Sequence, residues 1–246
     1  MKLDPKTAWQ PYRPTADNPW DARKVGHLYR RAAFGATQAD LAAALAEGPD
    51  KTLERILTGK PETDDFIRTS EFMATDRSMP PGSSANRLAA WWLDRMVNTG
   101  HPLREKIALF WHNHFATSNN KVHNARYMLG QYQLIHQHAL GSFKELLVEM
   151  GTDPAMMVWL DTVESTKGKP NENYARELME LFSLGIGNYT ETDIREAAKA
   201  FTGYEIKDGK GELNAARHDP GEKQVLSKSG KFQGEDIAKI CLDQPA

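Results

Sequence analysis

Residues 171–185 read NENYARELMELFSLG, and this stretch decides the fold class. Stepped at 100° per residue, Tyr174, Leu178, Leu181 and Leu184 fall into one apolar stripe, the pattern of an amphipathic helix. An Asn cap opens it and Gly185 closes it. Similar punctuation recurs in both directions. Thr190 with Asp193 opens DIREAAKAFTG, Ser142 with Glu145 forms a capping box for FKELLVEM, and Asp153-Pro154 starts a turn or two through Trp159. KVHNARYMLGQYQLIHQHAL is a further helix stopped by Gly141, and Pro102 takes a first helical position ahead of LREKIALFWHNHF. Nearer the start, Thr37 with Asp40 opens an Ala/Leu-rich helix closed by Gly48, and DKTLERILTG ends at Gly59. NRLAAWWLDRMV is apolar on nearly every side and is expected to be a central helix. Residues 60–84, polar and rich in Pro and Gly, are expected to form a long surface loop.

Only GYEIKDGKGELN, with its Asp-Gly turn, reads as a hairpin. The class is therefore all-α: a multi-helix globular bundle with one small β-hairpin excursion near the C-terminal part. Helices should exceed half the chain, with β structure confined to about residues 203–226. Residues 1–20 are expected to be an extended arm carrying Trp9, Tyr12 and Trp20, and residues 21–246 a single helical domain.

Composition narrows the function classes. The 246 residues suffice for a real core, and 40% apolar with 26% charged is an ordinary globular balance. Thirty-one basic against 33 acidic residues, with no run of one sign, argue against a nucleic-acid footprint. No stretch reaches the roughly 18 apolar residues of a membrane span, and the N-terminus lacks the apolar core of a secretory signal, so the expected compartment is the cytoplasm. Cys241, the single cysteine, rules out an internal disulfide or cysteine-rich zinc site and reads as a small buried apolar residue. There is no Walker loop, dinucleotide GxGxxG, GxSxG elbow or HExxH helix.

What remains is imidazole and carboxylate. Along the helix that opens at Pro102, Leu103, Ile107, Phe110 and Trp111 share a stripe with His114 in its middle, while His112 points nearly the opposite way. The two histidines converge only if the helix ends near Asn113. Either a hydrogen-bonded core histidine or a ligand fits His114; His112 reads as a flank or partner-helix contact or a ligand. Glu177 falls inside the apolar stripe between Leu181 and Leu184, where a carboxylate must be paired, metal-bound or protonated. Arg30, Arg31 and Arg104 are its candidate ion-pair partners. Glu180, one turn on, has the option of an i, i+4 bridge to Arg176. His218, followed by Asp219 in a loop, completes the set, and Asp161 reads as a cap or turn residue.

Read together, HLYRRAAFGAT at residues 27–37, FWHNHFAT at 110–117, the NENYARELMELF block and HDPGEK at 218–223 resemble the signature blocks of a large bacterial family of unknown function, domain-of-unknown-function family 1800. The resemblance runs in order from about His27 to the last residue. It implies that FWHNHF and NENYAREL are family signatures. It also implies that the chain is C-terminally truncated relative to the family, and that its kin are often encoded beside a sulfatase-like protein and often exported.

Two function classes follow. In one, the chain is an enzyme with a hydrolytic bias. Glu177, Glu180 and His114 are then catalytic, or His112, His114, Glu177 and His218 hold a divalent metal such as zinc, iron or manganese. In the other, it is a non-catalytic scaffold or partner of the sulfatase-like protein, and the same polar residues form a buried structural network.

Overall fold

Thr37 and Asp40 satisfy each other's backbone: the Thr37 hydroxyl accepts from the Asp40 N–H at 3.1 Å, and the Asp40 carboxylate accepts from the Thr37 N–H at 3.0 Å. Thr190 and Asp193 repeat the exchange at 3.2 and 2.8 Å. Ser142 makes only its own half, accepting from the Glu145 N–H at 3.3 Å; the expected reciprocal bond is absent and the Glu145 side chain lies exposed, 3.8 Å from His138. The computed structural model describes residues 10–74 and 85–245, and their helices and strands follow in chain order. They are α1 (Ala22–Ala32), α2 (Gln38–Glu47), α3 (Pro49–Thr58), α4 (Asp64–Ala74), α5 (Ala85–Asn98), α6 (Pro102–Phe115) and α7 (Asn119–Val122). Then come α8 (Ala125–His138), α9 (Phe143–Met150), α10 (Pro154–Trp159) and α11 (Asn173–Glu177), which runs on as a π-helical segment over Leu178–Ser183. The chain continues through α12 (Glu191–Ala200), β1 (Tyr204–Lys207), β2 (Lys210–Leu213), β3 (Lys223–Val225), β4 (Lys228–Gly230) and α13 (Gly234–Leu242). Among the described residues the fold is mostly helical, at 59%.

Two two-stranded antiparallel hairpins stand where one was expected, and the second carries β structure past residue 226 to Gly230. The first turns at Asp208-Gly209, both at positive φ, the residue pair such a turn demands. The second turns at Leu226-Ser227, with φ of 47° and 69°. Leucine and serine carry no signal for that conformation, so the sequence concealed it.

Residues 60–84 are not one loop. Thr63 accepts from the Phe66 N–H at 3.2 Å and opens α4, which buries Phe66 and Ser70 on one face. The Pro/Gly-rich remainder, residues 75–84, lies outside the described residues. Helix α5 is not central either. Trp91 is buried, but Leu93 and Val97 are exposed, Val97 at 78%, so apolarity on all sides did not amount to burial. The expected helix from residue 121 onward is broken by His123, whose left-handed φ of 50° lets Asn124 cap α8 instead.

Residues 21–246 hold two contact units. The first runs up to Ile67 and includes Asp94–Lys106. In it α1, α2 and α3 bury Val25, Tyr29, Ala44 and Ile56. Trp20 packs on this cluster and donates its indole N–H to the Ala44 carbonyl at 2.9 Å, with the Tyr12 ring 6.0 Å away. The described part of the N-terminal arm is thus held by its own unit; Trp9 lies outside the described residues. The second unit joins Arg68–Leu93 to the chain from Ile107 onward. Its core is built from α8, α9, α10, the π segment, α12, β3 and α13 around Leu146, Met150, Met156, Leu178, Ile194 and Ile237. Among the described residues no helix is long and apolar enough to cross a membrane.

Candidate functional site

The helix of the NENYARELMELF stretch changes pitch at Leu178. From there the backbone closes five-residue rings: the Leu184 N–H donates to the Met179 carbonyl at 3.0 Å. A straight 3.6-residue projection therefore fails beyond Glu177. Tyr174, Leu178 and Leu184 are buried as the stripe requires, but Leu181 is 56% exposed, and Met179 and Phe182 take the inner positions.

The same widening redirects Glu180. The optional bridge from Arg176 does not form. Arg176 instead clamps Glu191 through both terminal nitrogens at 2.8 Å and reaches back to Glu172 at 3.2 Å. Glu180 accepts the Tyr189 hydroxyl at 3.0 Å. Glu177 is half-buried and has no hydrogen bond or ion pair among the described residues, so neither a histidine nor an arginine satisfies it. Desolvation, with Glu180 nearby, raises its carboxyl pKa above the ordinary value, against a smaller opposing pull from Arg176.

His114 is half-buried as well, and Phe110, one turn before it on α6, is exposed. Its ring sits among Phe115 at 5.0 Å, Trp111 at 5.6 Å, Phe182 at 6.0 Å and Phe143 at 6.1 Å. Its Nε2 lies 3.4 Å from the Phe182 carbonyl oxygen, a long hydrogen bond. His112 meets different neighbours. Helix α6 continues to Phe115, past the point where the two histidines could have turned together, and His112 stands edge-on to Trp92 at 5.1 Å. Burial lowers its pKa, which keeps it neutral at pH 7.

His218 is anchored elsewhere, by the end of α12. Its Nδ1–H donates to the Thr202 carbonyl at 2.8 Å, which leaves Nε2 as the acceptor. The buried Thr202 hydroxyl also receives the Asp219 N–H at 2.8 Å. Asp161 sits in a left-handed turn at φ 59°; its carboxylate holds Lys121 at 2.7 Å and accepts from Asn173 at 3.2 Å. What the fold brings together is thus the FWHNHF and ELMELF segments, meeting at His114, Phe115 and Phe182, whose last two rings lie 5.1 Å apart.

A family model described as "Protein of unknown function (DUF1800)" matches residues 27–246. The chain belongs to the DUF1800 family. Comparison with curated proteins and with solved structures gives no match. In this DUF1800 member no three His, Cys, Asp or Glu side chains among the described residues form a group suited to a metal ion. The buried Cys241 thiol, pushed up to about 11 by its surroundings, is inert at neutral pH.

Two features escaped the sequence. Lys223 is 1% exposed, and its ammonium donates to the carbonyls of Asp219 at 2.7 Å and Gly221 at 3.0 Å, closing the HDPGEK loop. A lysine flanked by Glu222 and Gln224 carries no local sign of burial. Asp153, expected only to start a turn, is buried while capping α10 through the Met156 N–H at 2.8 Å and accepting from Gln131 at 2.8 Å. Desolvation outweighs these bonds and raises its carboxyl to about 6. Because the folded state then holds a proton that the unfolded state releases, the contribution is fully present below the unfolded value of 3.8 and is lost as pH rises through about 6. Wild-type stability minus that of Asp153→Asn should fall by on the order of 2–3 kcal/mol between pH 4 and 7. Urea unfolding across that range measures the difference; a flat difference would show that the carboxyl titrates normally.

Proposed function

We propose that this DUF1800 chain is an acid/base catalyst of the hydrolytic class, with Glu177 as the general acid and Glu180 as the base. The observation that carries the reading is the state of Glu177: half-buried, without a hydrogen-bond or ion-pair partner among the described residues, and raised in pKa, three residues from a second carboxylate that is hydrogen-bonded to Tyr189. Paired carboxylates whose surroundings differ are how one site keeps a proton to give and a base to receive one. The π segment supports the same reading, since such segments frequently accompany functional sites. His114, against the Phe182 carbonyl, positions that segment. The metal-dependent form would need His112, His114, Glu177 and His218 on a single zinc, iron or manganese ion. The differing neighbours of these four side chains favour the metal-free form.

The test is turnover of p-nitrophenyl acetate, phosphate and sulfate by the purified chain. Glu177→Gln and Glu180→Gln should each lower kcat/KM about 100-fold or more. The wild-type rate should fall as pH rises through the raised Glu177 value, since the acid must be protonated to act. Absence of turnover on all three, or full activity in Glu177→Gln, overturns the proposal. The second reading, a scaffold for a co-encoded sulfatase-like protein, draws support from the exposed apolar side chains Phe110, Leu181 and Ile186 flanking the same segments. Its mark would be complex formation that survives Glu177→Gln and fails in Leu181→Asp.

A further inference from the structure

Behind α9, a cavity of about 240 Å³ opens between Leu147, Val148, Phe201, Leu213 and Ala238, apart from the Glu177 region. Its walls are mainly apolar, and among the described residues no lysine or arginine lines it; the charged groups on it are Glu149 and Glu235. Its uncharged polar side chains are Thr152, Gln233 and two tyrosines. Tyr204 accepts the Gly234 N–H at 3.2 Å, and its own hydroxyl hydrogen is left to donate. Tyr174 is only 2% exposed, and its hydroxyl has no hydrogen-bond partner among the described residues. The residue is buried, but its hydroxyl oxygen is not sealed off: it opens into the cavity, and its hydrogen is available to a guest there. Gly151 keeps the hydroxyl accessible, for a Cβ there would lie 3.3 Å from the Tyr174 oxygen.

We propose that this cavity binds a small neutral molecule, largely apolar, with one hydrogen-bond-accepting oxygen of the ketone, ester or lactone kind. The acceptor oxygen takes the Tyr174 hydroxyl, and the apolar body lies against Leu147, Phe201 and Leu213. Size fits this class. A dry cavity of about 150 Å³ lined by aliphatic and aromatic side chains takes benzene, so one of 240 Å³ accommodates a ring with a carbonyl substituent. Charge fits as well. Two carboxylates without a lining cation disfavour an anion, and the apolar walls disfavour a bare ammonium.

Acetophenone is the probe, with ethylbenzene as its match without the acceptor and benzoate as the anionic control. Binding to the full chain is followed by ligand-observed NMR titration. Acetophenone should bind saturably and benzoate should not. Tyr174→Phe, which removes no bond the protein makes for itself, should keep the fold and weaken acetophenone about three- to tenfold, the worth of one neutral hydrogen bond. Ethylbenzene should bind more weakly than acetophenone by a similar factor and be indifferent to that substitution. Ala238→Phe, which fills the cavity, should abolish both; if it does not fold, the Tyr174→Phe comparison decides alone. Acetophenone that fails to saturate, or binds equally to wild type and Tyr174→Phe, overturns the proposal. Neither outcome bears on Glu177, whose test is hydrolytic.

Discussion

Replacing Arg95 by methionine should cost the folded chain about 3–5 kcal/mol. Glu105 is fully buried and the Arg95 side chain is 15% exposed, with the guanidinium Nε 2.9 Å from the carboxylate. Arg95 also lies over the Phe66 ring at 5.2 Å, a contact worth about 0.5–1 kcal/mol or more where water is excluded. Methionine fills much of the same volume but leaves Glu105 without this cation, and a carboxylate in that setting loses far more than the contact itself was worth. The double variant Arg95→Met/Glu105→Leu should recover most of the loss, since an apolar pair of similar volume replaces a buried ion pair at little cost. Chemical denaturation of the two variants provides the check. A single variant within about 1 kcal/mol of wild type would mean that water or another group already serves Glu105.

Gly203→Ala should be comparably severe, at about 2–6 kcal/mol from backbone strain and overpacking together. Gly203 has φ +81°, a left-handed conformation costing a non-glycine residue roughly 1–3 kcal/mol. A Cβ there would also sit 2.7 Å from the His218 nitrogen, 2.8 Å from the Asn214 oxygen and 2.9 Å from the Arg217 carbonyl carbon. All three are backbone atoms, so no side chain can swing aside, and overpacking adds roughly 1–3 kcal/mol. The Gly203 N–H donates to Ser165 and its carbonyl accepts from Asn214, so three segments meet at this residue. Relief would displace the loop bearing His218, and the hydrogen-bonded Nδ1–H resonance of His218 should move or vanish. Retained stability together with an unmoved resonance would contradict this account.

How much of this was legible depended on how far each instruction reached along the chain. The capping boxes at Thr37 and Thr190 and the Asp208-Gly209 turn involve residues no more than three apart, and all were readable. The divergence of His112 and His114 was readable too, because residues i and i+2 on an α-helix lie about 200° apart. The π segment was not. A projection assumes its own period, so Leu181 went to the inside and Glu180 to Arg176, and both assignments failed together. The Leu226-Ser227 turn gave no warning because its residue types are ordinary for other conformations. Thr202 reaching His218, and the side chains around Tyr174, belong to tertiary structure that no local pattern announces.

Lys223 gives the HDPGEK loop an unusual independence. Two carbonyl oxygens ligate its ammonium much as they would a monovalent metal ion, but this ion is covalently tethered to the chain. It cannot dissociate, be chelated or be exchanged for another species. The cross-link that closes the loop presenting His218 therefore needs no supply of salt, and depends instead on the retention of a single proton.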